Sequence, residues 1–86
     1  MLELHVIFNG EVQGVGFRAT AKRLADQLQL TGYVKNLPDG SVELVAQGKK
    51  EMLEQLLSAL KQRFNVHEVA EKYVELSKPY STFSSQ

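Results

Sequence analysis

The chain has 86 residues, ten Lys/Arg against ten Asp/Glu, and no cysteine. That length fits one domain, residues 1–86, with a core that is modest but sufficient for a mixed α/β fold without staples. Balanced charge excludes a broad electrostatic footprint for nucleic acid and a polybasic membrane patch, and the missing cysteines exclude disulfides, thiolate nucleophiles and cysteine metal sites. No apolar run approaches the roughly 20 residues of a membrane span. Met1-Leu2-Glu3-Leu4-His5 lacks the basic and apolar regions of a signal peptide, so the expected location is cytoplasmic.

The first element is an alternating segment, Leu2-Leu4-Val6-Phe8, with Glu3, His5 and Asn9 on the other parity. This is a strand, and Ile7 suggests that its second face is partly covered. His5 reads as a partly exposed sheet residue rather than a catalyst. The strand runs into Gly10-Glu11-Val12-Gln13-Gly14-Val15-Gly16-Phe17-Arg18. Glycine takes φ > 0 and lets backbone approach a ligand closely. Successive N–H groups in such a turn form a concave anion nest, and the next helix adds its positive dipole end. Arg18 brings a planar fork of donors suited to phosphate oxygens. The stretch reads as a small site for a dianionic phosphoryl group, with the plain competitor that the glycines only turn the chain. It is neither a Walker loop nor a dinucleotide fingerprint.

A helix follows from Phe17 or Arg18 to about Gln29, with Phe17, Ala21, Leu24, Ala25 and Leu28 on one stripe and Lys22 and Arg23 on a solvated face. Gly32 is the expected left-handed cap or bend. Tyr33 to Leu37 and Ser41 to Gln47 read as two strands joined by the turn Pro38-Asp39-Gly40. A second helix spans about Lys50 to Phe64, its stripe being Leu53, Leu56, Leu57, Leu60 and Phe64. Val66 to Leu76 fits both strand and helical spacing, and we take it as a strand with a bulge. His67 near its start has no partner at metal spacing. Tyr80 to Phe83 is a short last strand, and Ser84-Ser85-Gln86 is expected to fray.

The order β-α-β-β-α-β plus a short strand implies an α+β, ferredoxin-like sandwich: an antiparallel sheet with two helices on one face and right-handed crossovers. The ends of the first and second strands then share one sheet edge. Asn36 can therefore face the glycine loop, although its position also suits a plain turn-capping role.

Gly10-x-Val12-Gln13-Gly14-Val15-Gly16-Phe17-Arg18 together with Gly32-Tyr33-Val34-Lys35-Asn36-x-x-Asp39-Gly40-Ser41-Val42-Glu43 resembles the paired signatures of the acylphosphatase family. The resemblance runs from about Leu2 to Leu60. Asn65-Val66-His67 stands where the family often has Gly-Pro, and Ser84-Ser85-Gln86 lacks the usual apolar end. The resemblance implies hydrolysis of acyl phosphates to a carboxylate and inorganic phosphate. Arg18 and the amides of Gln13, Gly14, Val15, Gly16 and Phe17 would bind phosphate, and Asn36 would orient the water. No cofactor and no metal are implied. The expected partners are a small-molecule acyl phosphate and inorganic phosphate, with no nucleic acid and no membrane, on a monomer. Three rivals remain: an RNA-recognition module, disfavoured because Ser41 to Gln47 carries no aromatic; a non-catalytic phosphate or acyl-phosphate binding module; and a piece of a larger carbamoyl-phosphate-using maturation enzyme, disfavoured because no further domain follows.

Overall fold

The computed structural model describes residues 1–76 and 78–86, with side chains for all of these except Glu68 and Val69. In chain order the elements are β1 (Leu2–Gly10), α1 (Phe17–Gln27), β2 (Thr31–Asn36), β3 (Val42–Gly48), α2 (Lys50–Arg63), β4 (Val66–Glu75) and β5 (Phe83–Ser85). Among the described residues the strands form one sheet in the order β4-β1-β3-β2-β5. Every pairing is antiparallel except β2 with β5, which is parallel. This is the ferredoxin-like α+β sandwich, extended by one short strand.

The alternation in β1 determines its faces. Leu4, Val6 and Phe8 are buried, in one cluster with Phe17, Ala21, Leu24 and Ala25 of α1 and Leu53, Leu56, Leu57 and Leu60 of α2. Ile7 is half-buried on the other face. β3 lies between β1 and β2, and it buries Val42, Leu44 and Ala46 on the helix side and Val45 and Gln47 on the other. Phe8 and Phe64 each set a ring edge-on to Phe17, at centroid distances of 5.2 and 5.0 Å, an arrangement that adds to simple area burial. In α2, Glu51 sits in the first turn and Lys61 and Arg63 in the last, each matching the helix dipole.

Three local expectations need correcting. α1 ends at Gln27 rather than Gln29, and the left-handed residue that reverses the chain is Gln29, at φ 59°. Gly32 is not a cap: it lies inside β2, where a Cβ would stand 2.0 Å from the Val45 carbonyl oxygen. Close approach of the paired strand β3 and a φ of 133°, not a turn, require glycine there. The last strand is Phe83–Ser85 rather than Tyr80 to Phe83, and the tail does not fray. Gly32, Tyr33 and Val34 pair with Phe83, Ser84 and Ser85, and the Gln86 N–H donates to the Val34 carbonyl at 2.8 Å. Phe83 supplies the reason, because its ring is buried in the common core and pulls the following residues onto β2.

β4 has the anticipated bulge. Ile7 pairs with Ala70 and Phe8 with Glu68, so Val69 is the additional residue. The helical spacing in this segment is incidental, since edge pairing with β1 satisfies its backbone.

The face opposite the helices is partly covered by the stretch around Lys78 to Tyr80. The Gln47 amide donates to a Glu3 carboxylate oxygen at 2.6 Å and to the Lys78 carbonyl at 2.7 Å, and its oxygen accepts from the Tyr80 N–H at 2.8 Å. His5 hydrogen-bonds the other Glu3 oxygen. Tyr33 meets Tyr80 edge-on at 5.8 Å and donates its hydroxyl to Glu43 at 3.1 Å. His5 is therefore a sheet residue engaged by a carboxylate.

Candidate functional site

The site grows from the way β1 hands the chain to α1. Val12 and Phe17 are both buried, and the residues between them, Gln13 to Gly16, are exposed. The loop is thus pinned at both ends and free in the middle. Gly14 and Gly16 have φ of 75° and 83°, and a Cβ at either would meet nothing within 4 Å. Glycine is needed there for backbone conformation, not for room. Gly16 is the N-cap of α1 and has no side-chain cap. Thr20 N–H donates back to Gly16 at 3.0 Å, but from Gln13 to Ala19 no backbone N–H finds a protein acceptor among the described residues. Such donors, together with the dipole end of α1, are of the kind that can accept an anion.

Arg18 is the second residue of α1 and is half-buried. One guanidinium nitrogen, Nη1, donates to the Gln86 backbone oxygen at 2.5 Å, which orients the fork and leaves its other donors for a ligand. Val12, Gly14, Gly16, Phe17, Arg18, Ala19 and Ser85 enclose a cleft of about 220 Å³.

Asn36 closes β2 and is exposed. It pairs with Val42, which pairs in turn with Phe8, so Asn36, Val42 and Phe8 form one row across the sheet. Directly opposed strand residues share a face. Asn36 therefore lies on the helix-facing side, at the same rim where Phe8 meets Phe17. Its carboxamide makes no hydrogen bond to another described residue, so it has not been consumed in capping. The turn is capped by Asp39 instead, whose Oδ1 accepts from Ser41 N–H at 3.0 Å and Ser41 Oγ at 2.5 Å. Those bonds hold the Asp39 carboxyl below its ordinary range.

Gln13 joins the two halves. Its Nε2 donates to the Leu37 carbonyl at 3.1 Å and to the Ser41 carbonyl at 2.9 Å, across the Pro38-Asp39-Gly40 turn. Of the residues expected to act together, Gly14, Gly16, Phe17 and Arg18 line the cleft; Gln13, Val15 and Asn36 are not among its lining residues, and Gln13 ties the loop to the turn that follows Asn36. Sequence reasoning missed Ser85, which lines the cleft, and Gln86, which orients Arg18. No local signal marks either residue; only the burial of Phe83 would have suggested that the tail is held. Lys22, expected only as a solvated charge, also donates to the Phe83 carbonyl at 3.1 Å and so fastens α1 to β5.

Fold and rim define a small α+β domain with exposed loop N–H groups beside an arginine at one end of the sheet. Comparison with known proteins narrows the class. Residues 4–85 match the family model described as Acylphosphatase. An acylphosphatase from Methylococcus capsulatus is 55% identical over 58 residues, covering 67% of this chain and 63% of the relative's length. Another, from Bacillus licheniformis, is 41% identical over 83 residues, covering 96% and 92%. The crystal structure of acylphosphatase from Bacillus subtilis superposes with a TM-score of 0.90 at 33% identity, covering 100% of this chain and 99% of that one. The chain belongs to the acylphosphatase family and is an enzyme of that hydrolase class. The family match also extends past Leu60 through the divergent segment at Asn65 to Ser85. HypF from T. kodakarensis contains the same fold as 12% of its chain, at 30% identity and a TM-score of 0.85.

Proposed function

We propose that this protein hydrolyses the carboxyl–phosphate anhydride bond of small acyl phosphates, with Arg18 and the loop amides binding the phosphoryl group and Asn36 orienting the attacking water. The observation that carries the reading is the run of main-chain N–H groups from Gln13 to Ala19, without an acceptor among the described residues, beside the Arg18 guanidinium. In the proposed step the water oxygen forms a new bond to phosphorus and the phosphorus–oxygen bond to the acyl group breaks. The bonding pair leaves on the carboxylate, and the water proton passes to phosphate or solvent.

The leaving carboxylate has a conjugate acid with a pKa of about 4, so it departs without a general acid. Phosphoryl transfer runs through a loose transition state in which positioning and charge stabilisation dominate. Arg18 and preorganised amides supply the charge term. The Asn36 carboxamide both donates and accepts, so it can fix a water without acting as a base. The proposed mechanism routes no step through a metal or cofactor. An unactivated phosphate ester, whose alkoxide leaving group needs protonation or a Lewis acid, is a poor substrate for such a site. The protein is proposed to work as a cytoplasmic monomer, releasing inorganic phosphate.

Benzoyl phosphate is the test substrate, assayed in EDTA with an aryl phosphate ester as control. Arg18→Ala should lose most phosphate binding and turnover, while Asn36→Ala should lose turnover and keep phosphate binding. A fully active Asn36→Ala protein removes the water-orienting role, and abolition of activity by EDTA removes the metal-free route.

A further inference from the structure

We propose that Gln13 is a positioning residue: its side-chain amide sets the spacing between the phosphoryl-binding loop and the strand end that carries Asn36. The proposal rests on the functional reading above and adds a residue that acts through others.

The geometry is specific. The Gln13 amide nitrogen carries two hydrogens and has two carbonyl acceptors, Leu37 at 3.1 Å and Ser41 at 2.9 Å. Those residues flank the Asn36–Val42 pair, because Leu37 follows Asn36 and Ser41 precedes Val42. Leu37 N–H donates to the Ser41 carbonyl at 2.8 Å, and Gly40 N–H to the Leu37 carbonyl at 3.2 Å. Together with the Asp39 bonds to Ser41, these make the turn a stiff unit. Gln13 is therefore fastened to the rung next to Asn36, not to a loose loop tip. At its other end it sits between buried Val12 and left-handed Gly14, at the root of the amide run.

This wiring separates two roles. With both amide hydrogens directed at carbonyls, the side chain offers only its oxygen outward, and an acceptor has no attraction for a phosphate dianion. Gln13 can contribute to phosphate binding through its main-chain N–H alone. Its side chain instead couples the phosphate-holding half of the rim to the water-holding half. An exposed link of this kind adds little to global stability but controls a distance on which in-line attack depends.

Gln13→Ala tests the link. A misplacement of about 1 Å costs up to roughly a hundred-fold in rate, so kcat on benzoyl phosphate should fall roughly ten- to a hundred-fold. The dissociation constant for inorganic phosphate should change less than about threefold, because the amides and Arg18 remain. The double variant Gln13→Ala/Asn36→Ala should fall no further than Asn36→Ala alone, since the link acts through that residue. A lost phosphate affinity with unchanged kcat, multiplicative losses in the double variant, or wild-type behaviour of Gln13→Ala each overturns the proposal.

Gln13→Glu covers the case in which Gln13→Ala does not fold. Its carboxylate faces two carbonyls at neutral pH but regains an O–H donor when protonated. Its activity relative to wild type should rise as pH falls through the ordinary carboxylate range, and a flat ratio overturns the link. One readout is independent of turnover. In Gln13→Ala the side-chain NMR resonances of Asn36 should move while the amides of residues 14–19 still respond to inorganic phosphate. If wild type is inactive on benzoyl phosphate but those shifts appear, the functional reading falls and the link stands; unmoved Asn36 resonances remove the link whatever the activity.

Discussion

Replacing Gln47 by leucine should weaken the fold in a pH-dependent way, and both the size and the sign follow from its contacts. Gln47 is 3% exposed and Glu3 9%. The substitution keeps the volume and removes three short hydrogen bonds, to the Glu3 carboxylate, to the Lys78 carbonyl and from the Tyr80 N–H, and a longer one from the Thr31 hydroxyl at 3.3 Å. A hydrogen bond to a charged group is worth about 1.5–3 kcal/mol and a neutral one about 1 kcal/mol. Their sum is an upper figure, because a single pass of chain covers the face and lets water replace some of what is lost. The expected loss at pH 7 is therefore about 2–4 kcal/mol. In the wild-type protein the Gln47 hydrogen bond is the largest influence on Glu3 and holds its carboxyl below the ordinary 4.5, against burial, with His5 assisting. A depressed folded-state pKa stabilises above the unfolded value, and that contribution is lost as pH falls through the folded one. In Gln47→Leu the main depressing influence is gone and burial remains, so Glu3 takes up a proton more readily. The difference between the two proteins should then be largest at neutral pH and shrink below about pH 5. Urea denaturation of both proteins at pH 7, 5 and 4 measures this. A loss under about 1 kcal/mol at pH 7, or a difference that does not change with pH, refutes the reasoning.

Gly16→Ala should cost only the left-handed penalty of about 1–2 kcal/mol, since its new Cβ meets nothing. Gly32→Ala adds to a φ of 133° a backbone oxygen 2.0 Å from the new Cβ and should prevent folding; equal urea midpoints for the two variants would contradict the cost assigned to the clash. Tyr33 is pushed up to about 12, first by burial and then by its bond to Glu43. A raised folded-state pKa gives stability that is complete below the ordinary value of 10 and lost as pH rises through 12. Tyr33→Phe should therefore unfold less steeply between pH 10 and 12 in circular dichroism, with Tyr73, also raised by burial, supplying the remaining slope; an unchanged slope sinks this assignment. Inorganic phosphate should raise the melting temperature of wild type but not of Arg18→Ala at constant ionic strength, by the linkage of ligand to the native state. Equal shifts in both proteins would mean that the anion acts elsewhere.

Much of the fold could be read from local pattern, and its errors are instructive. The period-2 run in β1 and the leucine stripe of α2 are strong because one face of each is core. The bulge in β4 was legible as a conflict between strand composition and spacing. Gly32 was misread because a glycine just after a helix has two explanations, a left-handed cap or a close approach, and only the position of Val45 chooses between them. The tail was misread because its last residues are polar. What orders them is Phe83, a single buried ring, plus an edge of β2 that the sequence does not reveal as open. The site divides the same way. The loop, Arg18 and Asn36 stand out by residue type, whereas the Gln13 link and the Gln86 contact join residues 24 and 68 positions away and exist only once the sheet has closed.

That division has a physical basis. With no net charge, the molecule does not concentrate anions by its overall field, so any phosphoryl group must be held by donors already aimed at one point. Aiming costs conformational entropy, and in the proposed site it would be met far from the ligand: Val12 and Phe17 fix the loop ends by burial, and Phe8 packs on Phe17. The exposed residues between them can then leave their N–H groups unengaged without loosening the core. The chemistry of the rim is local in sequence while its rigidity is not, which is why the donors could be named from the chain and their alignment could not.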